Sequence, residues 1–166
     1  MANTANPRGF SPANPILRMH YHKKTTSQIM YPGDAVSLAA DGKVYLRATG
    51  NTTLAGVVAG YAAAATTDVL LFDDPDQQYY IQDDGVSGTL SQASVGNGFN
   101  IVMTAGTATW NKSKQALDTD TGSATTSATL QLRLLGFHPS DEVGKYVRCR
   151  VKFNDLALFQ KRATYV

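Results

Sequence analysis

Glutamate is almost missing from this chain of 166 residues: Glu142 stands alone among 13 acidic side chains. Charged residues make up only 17% of the sequence, against about 25% in typical soluble proteins. Ala, Thr, Ser, Gly and Asn take their place, and long stretches hold no strong helix former other than Ala. Such a composition, rich in Thr, Gly, Val and Tyr, favours strands over helices. Cysteine is equally scarce. The lone Cys149 excludes an intrachain disulfide and any cysteine-based zinc site. No run approaches the roughly 20 apolar residues of a membrane span. The opening "MANTANPRGFSPANPILRMHYHKK" has no apolar centre of the signal-peptide kind. The expectation is a protein made in the cytoplasm and used without passage through a membrane.

Cations are missing from residues 48–111, which carry six Asp and no Lys or Arg. The flanking segments are each basic, so a net charge of only +2 hides three blocks of alternating sign. Segregation of this kind suits distinct surface faces or self-association. A nucleic-acid binder would be more basic, so no direct nucleic-acid partner is expected.

What is present is a succession of short strand signals. Pro7, Pro12 and Pro15 among Asn, Gly and Ser make regular structure unfavourable before Ile16. Residues 1–30 therefore read as an extended arm, and residues 31–166 as a single β domain. The arm holds too many apolar residues (Phe10, Ile16, Leu17, Met19) for a free tail, so it should lie on its own domain, a sister subunit or another protein. "YPGDAVSLAADGKVYLRATG" reads as strand, type I′ turn at Asp41-Gly42, strand. Further strands are predicted in "TLAGVVAGYAA", "DVLLF", "QYYIQ", "ATLQLRLLGF" and "YVRCRVKF", with a hairpin turning at Ala105-Gly106. The one helix candidate is a turn or two at 113–118. Eight to ten short strands at near-regular spacing imply an all-β fold, a small β-barrel or β-sandwich.

The stretch "LFDDPDQQYYIQDDG" packs Asp73, Asp74, Asp76, Asp83 and Asp84 into twelve residues. Hard oxygen ligands of this kind suit calcium, but Pro75 interrupts the spacing of an EF-hand loop and no bidentate Glu follows. Asp-Pro-Asp between apolar runs is a turn signal, because Asp caps its own backbone and Pro presets φ. His20 and His22 in "HYH" share one side of an extended segment, yet no third ligand lies near them in sequence. His138 precedes Pro139 at a corner. No Gly-x-Ser-x-Gly elbow is present, and "GNGF" lacks the context of a phosphate loop. No catalytic residue, cofactor or metal is expected. In "YVRCRVKF", alternation puts Arg148, Arg150 and Lys152 on one face and Val147, Cys149, Val151 and Phe153 on the other. Those cations either lie on a solvated face or meet acidic groups, such as those of the cation-free middle segment.

Taken in order, "YPGDAVSLAADGKVYLRATGNTTLAGVVAG", "DDPDQQYYIQDDG" and "LRLLGFHPSDEVGKYVRCRVKFN" resemble the capsid decoration (cement, auxiliary or head-stabilising) proteins of tailed bacteriophages. The resemblance covers residues 31–154, and "DDPDQQYYIQ" is its most characteristic part. It implies a non-enzymatic structural protein on the outer surface of the virion that binds the major capsid protein and stabilises the shell. It also implies a homo-oligomer, with a trimer favoured. Candidate capsid or subunit contacts are Phe10, Ile16, Leu17 and Arg18 in the arm, Asp73, Asp74 and Asp76 at the corner, and Arg148, Arg150 and Lys152. The alternative is a carbohydrate- or receptor-binding module displayed on a virion, with Tyr79, Tyr80 and Trp110 as an aromatic platform.

Overall fold

The computed structural model describes residues 3–46, 54–86, 90–109, 111–123 and 130–154. Eleven strands form among them, arranged as two antiparallel sheets. In chain order the first six are β1 (Ser11–Pro12), β2 (Met19–Lys23), β3 (Ala35–Leu38), β4 (Val44–Tyr45), β5 (Leu54–Val58) and β6 (Asp68–Phe72). The remainder are β7 (Tyr79–Gln82), β8 (Gly98–Val102), β9 (Ala116–Ser123), β10 (Leu132–Phe137) and β11 (Arg148–Phe153). One sheet runs β2-β6-β5-β3-β4 and the other β1-β7-β11-β10-β8-β9.

Period-two alternation, shifted once in β5 by a bulge opposite Val36 and Ser37, explains how the sheets stack. Ala35, Leu54, Val57 and Phe72 of the five-stranded sheet meet Tyr79, Ile81, Ile101, Leu134, Cys149 and Val151 of the six-stranded sheet in one core. The intervening Val36, Ala55, Val58, Val69 and Leu71 form a second core on the opposite face, closed by Met30, Val44 and Ala62. β5 is therefore buried on both faces, as its unbroken "LAGVV" run requires. The architecture is a sandwich. Each sheet curls until distant strands touch, at Lys24 with Val44 and at Asp83 with Leu117, but neither closes into a barrel.

A hairpin turns at Asp41-Gly42, but not as type I′: Gly42 alone takes a positive φ (+81°), Gly42 N–H donates to Ala39 O (3.0 Å) and Ala39 N–H to Lys43 O (2.8 Å), the pattern of a three-residue loop closed by a glycine bulge. Residues 113–118 are not helical. β9 begins at Ala116 and pairs with β8 through Val102 with Ala116 and Ile101 with Leu117. Burying Leu117 in the main core outweighs the weak propensity of a segment too short to hold a helix alone. The hairpin expected at Ala105-Gly106 does not form: β8 pairs with β9 across a 103–115 connection, within which Thr107 bridges Lys112. The helical turn lies instead at Gln92–Ser94, where Ser91 and Ser94 cap one another.

The division into a 1–30 arm and a domain starting at residue 31 does not describe this fold. Phe10 packs edge-on against Tyr79 and Phe153 in the main core. β1 pairs with β7, β2 pairs with β6 over five residues, and Met30 is fully buried. Lys24 is buried too. Its ammonium donates to the backbone oxygens of Gln28 (2.8 Å), Thr25 and Ala64 (both 3.3 Å), and the desolvation lowers its pKa. Residues 10–30 are thus part of the sandwich they were expected to rest on.

Candidate interaction surface

β2 forms one edge of the five-stranded sheet. Its register with β6 sets His20 opposite Leu71 and His22 opposite Val69. Lys24 N–H donates to Thr67 O (2.8 Å), so alternation directs the backbone groups of Lys24, His22 and His20 toward β6. Those of Met19 and Tyr21 point outward, with no bonded strand beside them among the described residues, while past Lys23 the same side meets β4, where Lys24 bridges Val44 and Thr25 N–H donates to Val44 O (2.9 Å). Edge strands of natural proteins are commonly blunted by proline, a bulge or inward charge. The register of β2 runs unbroken, and Lys23 at its end is the one outward charge within it.

Side chains along this edge are apolar and open. Tyr21 is 75% exposed, Ile16 52%, Leu17 49% and Met19 43%. Ile16 and Leu17 are among the candidate contacts expected from the sequence, and both are exposed; Met19 and Tyr21, exposed as well, lie outside that set, although their alternation with His20 and His22 is the signature of a strand with two unlike sides.

Asp73, the residue after β6, holds this edge in place. Its carboxylate accepts from Arg18 Nε (3.1 Å) and meets His20 Nδ1 (3.0 Å) and His22 Nε2 (3.1 Å). Arg18 Nη2 also donates to Asp73 O (2.8 Å). Burial alone would raise the Asp73 pKa. The hydrogen bonds from His20, His22 and Arg18, with the Arg18 charge, outweigh it and hold the carboxyl below its ordinary value. Asp73 is only 4% exposed, so it is an internal strut and not a contact residue. The two histidines likewise find their partner inside the chain.

The other carboxylates of the cluster have separate tasks. Asp74 accepts from Asp76 N–H (2.8 Å), which makes the corner the sequence signals. Asp76 pairs with Lys152 (2.7 Å) across an exposed surface. Asp84 accepts from the Thr119 hydroxyl (2.6 Å). Asp83 lies buried elsewhere. β6 and β7 belong to different sheets, and the chain crosses between them at this corner. Among the described residues, no group of three His, Cys, Asp or Glu is disposed to hold a metal ion.

On β11 the alternation is as read: Cys149 and Val151 are buried, and Arg148 and Arg150 face out. Burial drives the Cys149 thiol pKa well up, so it is an inert core group. Arg148 is engaged within the chain. It clamps Asp141 through Nε (2.9 Å) and Nη2 (2.6 Å), and Asp141 also accepts from Arg148 N–H (2.9 Å). These bonds hold Asp141 below the ordinary carboxylate range. Arg150 makes no ion pair among the described residues. Phe10 is a core residue, 4% exposed.

Of the aromatic platform, Tyr79 is buried against Phe10 and Phe153, and Trp110 lies outside the described residues. Tyr80 rests edge-on against His138 and lines a cleft of about 650 Å³ together with Tyr146, Gln82, Arg8 and Arg148. No protein-family model, no curated protein and no solved structure matches this chain.

Proposed function

We propose that this chain is a non-enzymatic structural protein that binds the outer surface of a phage capsid and bridges major capsid protein subunits. The observation that carries the reading is the β2 edge, where Met19 and Tyr21, with Ile16 and Leu17 just before the strand, are exposed and the outward backbone groups of Met19 and Tyr21 meet no other strand among the described residues. An edge of this kind adds a strand from a partner: backbone bonds supply affinity and alternate side chains supply selectivity. The Asp73 strut holds the edge ready, so little ordering entropy is lost on docking. Repetition over a lattice turns modest contacts into firm attachment. The resemblance of residues 31–154 to decoration proteins points the same way, and the reading includes self-association, with a trimer favoured.

Co-sedimentation with expanded capsids of the encoding phage tests it, with the full chain beside the Met19→Asp/Tyr21→Asp double variant. Saturable binding by the parent, weakened about tenfold or more in the variant, is the expected result. A parent chain that leaves expanded capsids unbound refutes the reading.

A second reading, glycan binding, draws on the cleft beside Tyr80 and Tyr146. Loss of glycan-array signal on Tyr80→Ala would favour it. Its weakness is chemical: the Gln82 amide is already occupied by Thr4 O, Tyr146 O and Asn6 N–H.

A further inference from the structure

A second cleft, of about 370 Å³, opens between residues 5–8 on one side and Thr107 with residues 112–114 on the other. The fold brings these distant segments together through Gly9. That residue takes φ +68°, and an added Cβ would collide with the Ser113 side chain and Gly33 O. Phe10 N–H donates to Gly33 O (2.9 Å) and Ser113 N–H to Pro32 O (3.3 Å), so one short backbone stretch fastens both sides. Arg8, one residue before this contact, lines the cleft together with Lys112 and Lys114, which flank Ser113.

The charge of the cleft is one-sided. Its lining holds Arg8, Lys112 and Lys114 and no acidic side chain. Arg18, Lys23, Lys43, Arg148 and Lys152 each pair with a carboxylate of their own chain. None of the three cleft cations does so among the described residues. Asp34 lies close behind, but it is buried, is bonded to Ser113 and Tyr31 N–H, and lines a different cavity. Gathering three unneutralised cations costs self-repulsion, which an anionic occupant relieves, and a cleft of one sign concentrates the field on that occupant.

Spacing narrows the chemistry. Lys112 and Lys114 are exposed on either side of the buried Ser113, the alternation of an extended segment leading into β9. Residues i and i+2 of such a segment lie about 6.5–7 Å apart, which is also the repeat of an extended peptide. Phosphate sites favour forked arginines and converging backbone N–H groups. Here two lysines and one arginine are strung along a groove. Single-stranded nucleic acid asks for aromatic stacking, and none of the described lining residues is aromatic.

We propose that this cleft docks an extended acidic peptide segment of a partner protein, with Arg8, Lys112 and Lys114 pairing with its carboxylates. The inference stands apart from the capsid reading, because its test uses no capsid and either can fail alone. Fluorescein-labelled hexaglutamate and a labelled short oligothymidylate are titrated with the full chain by fluorescence anisotropy at low and moderate salt. Hexaglutamate should bind, more weakly as salt rises. Lys112→Glu/Lys114→Glu should weaken it about tenfold or more, while Arg133→Glu/Lys145→Glu, the same charge change outside the cleft, should leave it within about twofold. Backbone amide shifts of the unmodified protein should move at residues 5–8, Thr107 and residues 112–114, which locates the peptide even if a variant misfolds. Equal weakening by both double variants, tighter binding of oligothymidylate, shifts confined elsewhere, or no hexaglutamate binding would each overturn the proposal.

Discussion

Replacing Asp83 by Asn should make the protein more stable at neutral pH. Asp83 follows β7, is 1% exposed, and neither carboxylate oxygen has a hydrogen-bond partner. Burial, reinforced by the Asp84 charge, pushes its pKa up to about 6, and the nearby backbone amides of Gly85, Val147 and Asp83 only partly oppose this. A folded pKa above the unfolded one means that the native state binds the proton more tightly. Stability from this group is complete below about pH 4 and is lost as pH rises through about 6. At about 1.4 kcal/mol for each tenfold in the protonation equilibrium, the ceiling is about 3 kcal/mol. About 2 kcal/mol is the working figure once the surrounding amides and local relaxation screen the charge. Asp83→Asn removes the ionisation at nearly constant volume. Urea unfolding of both proteins at pH 5 and pH 8 reads the difference. The parent should be about 2 kcal/mol less stable than the variant at pH 8, about 4–8 °C in Tm for a chain of this size, with the gap about halved at pH 5. Parallel stability curves from pH 5 to pH 8, or a variant weaker than the parent at pH 8, would refute the reasoning.

Two further substitutions probe the frame around the β2 edge. Asp73→Asn should cost about 2 kcal/mol at neutral pH, because it removes a buried acceptor shared by Arg18, His20 and His22. Since the folded pKa of Asp73 is lowered, its contribution is present above the unfolded value near pH 4 and fades below it. The parent and variant curves should therefore converge in acid urea titrations. Phe10→Ala should cost about 3–5 kcal/mol in the same assay by opening a cavity against Tyr79 and Phe153. A loss under about 1 kcal/mol would mean that residues near Phe10 do rest on the domain as a separable arm.

The local signals in this chain were readable because their causes are local. Asp-Gly turns the chain locally, its glycine supplying the positive φ, and Asp-Pro-Asp caps itself. Alternation alone sorted Cys149 and Val151 inward from Arg148 and Arg150. Scarce Glu and abundant Thr, Val and Tyr sufficed for an all-β chain. Partners far apart in sequence were a different matter. Whether β6 and β7 share a sheet, whether Leu117 starts a helix or a strand, and whether Phe10 is an arm or a core residue depend on burial that is gained only when distant segments meet. The same holds for Asp73, whose ligands lie more than fifty residues upstream. Composition and periodicity by themselves determined the β class, its turns and the inward face of each clear strand. Tertiary structure alone decided which charges were neutralised within the chain and which edge and cleft stayed open, because electrostatic pairing and exposure belong to positions in space, not in sequence.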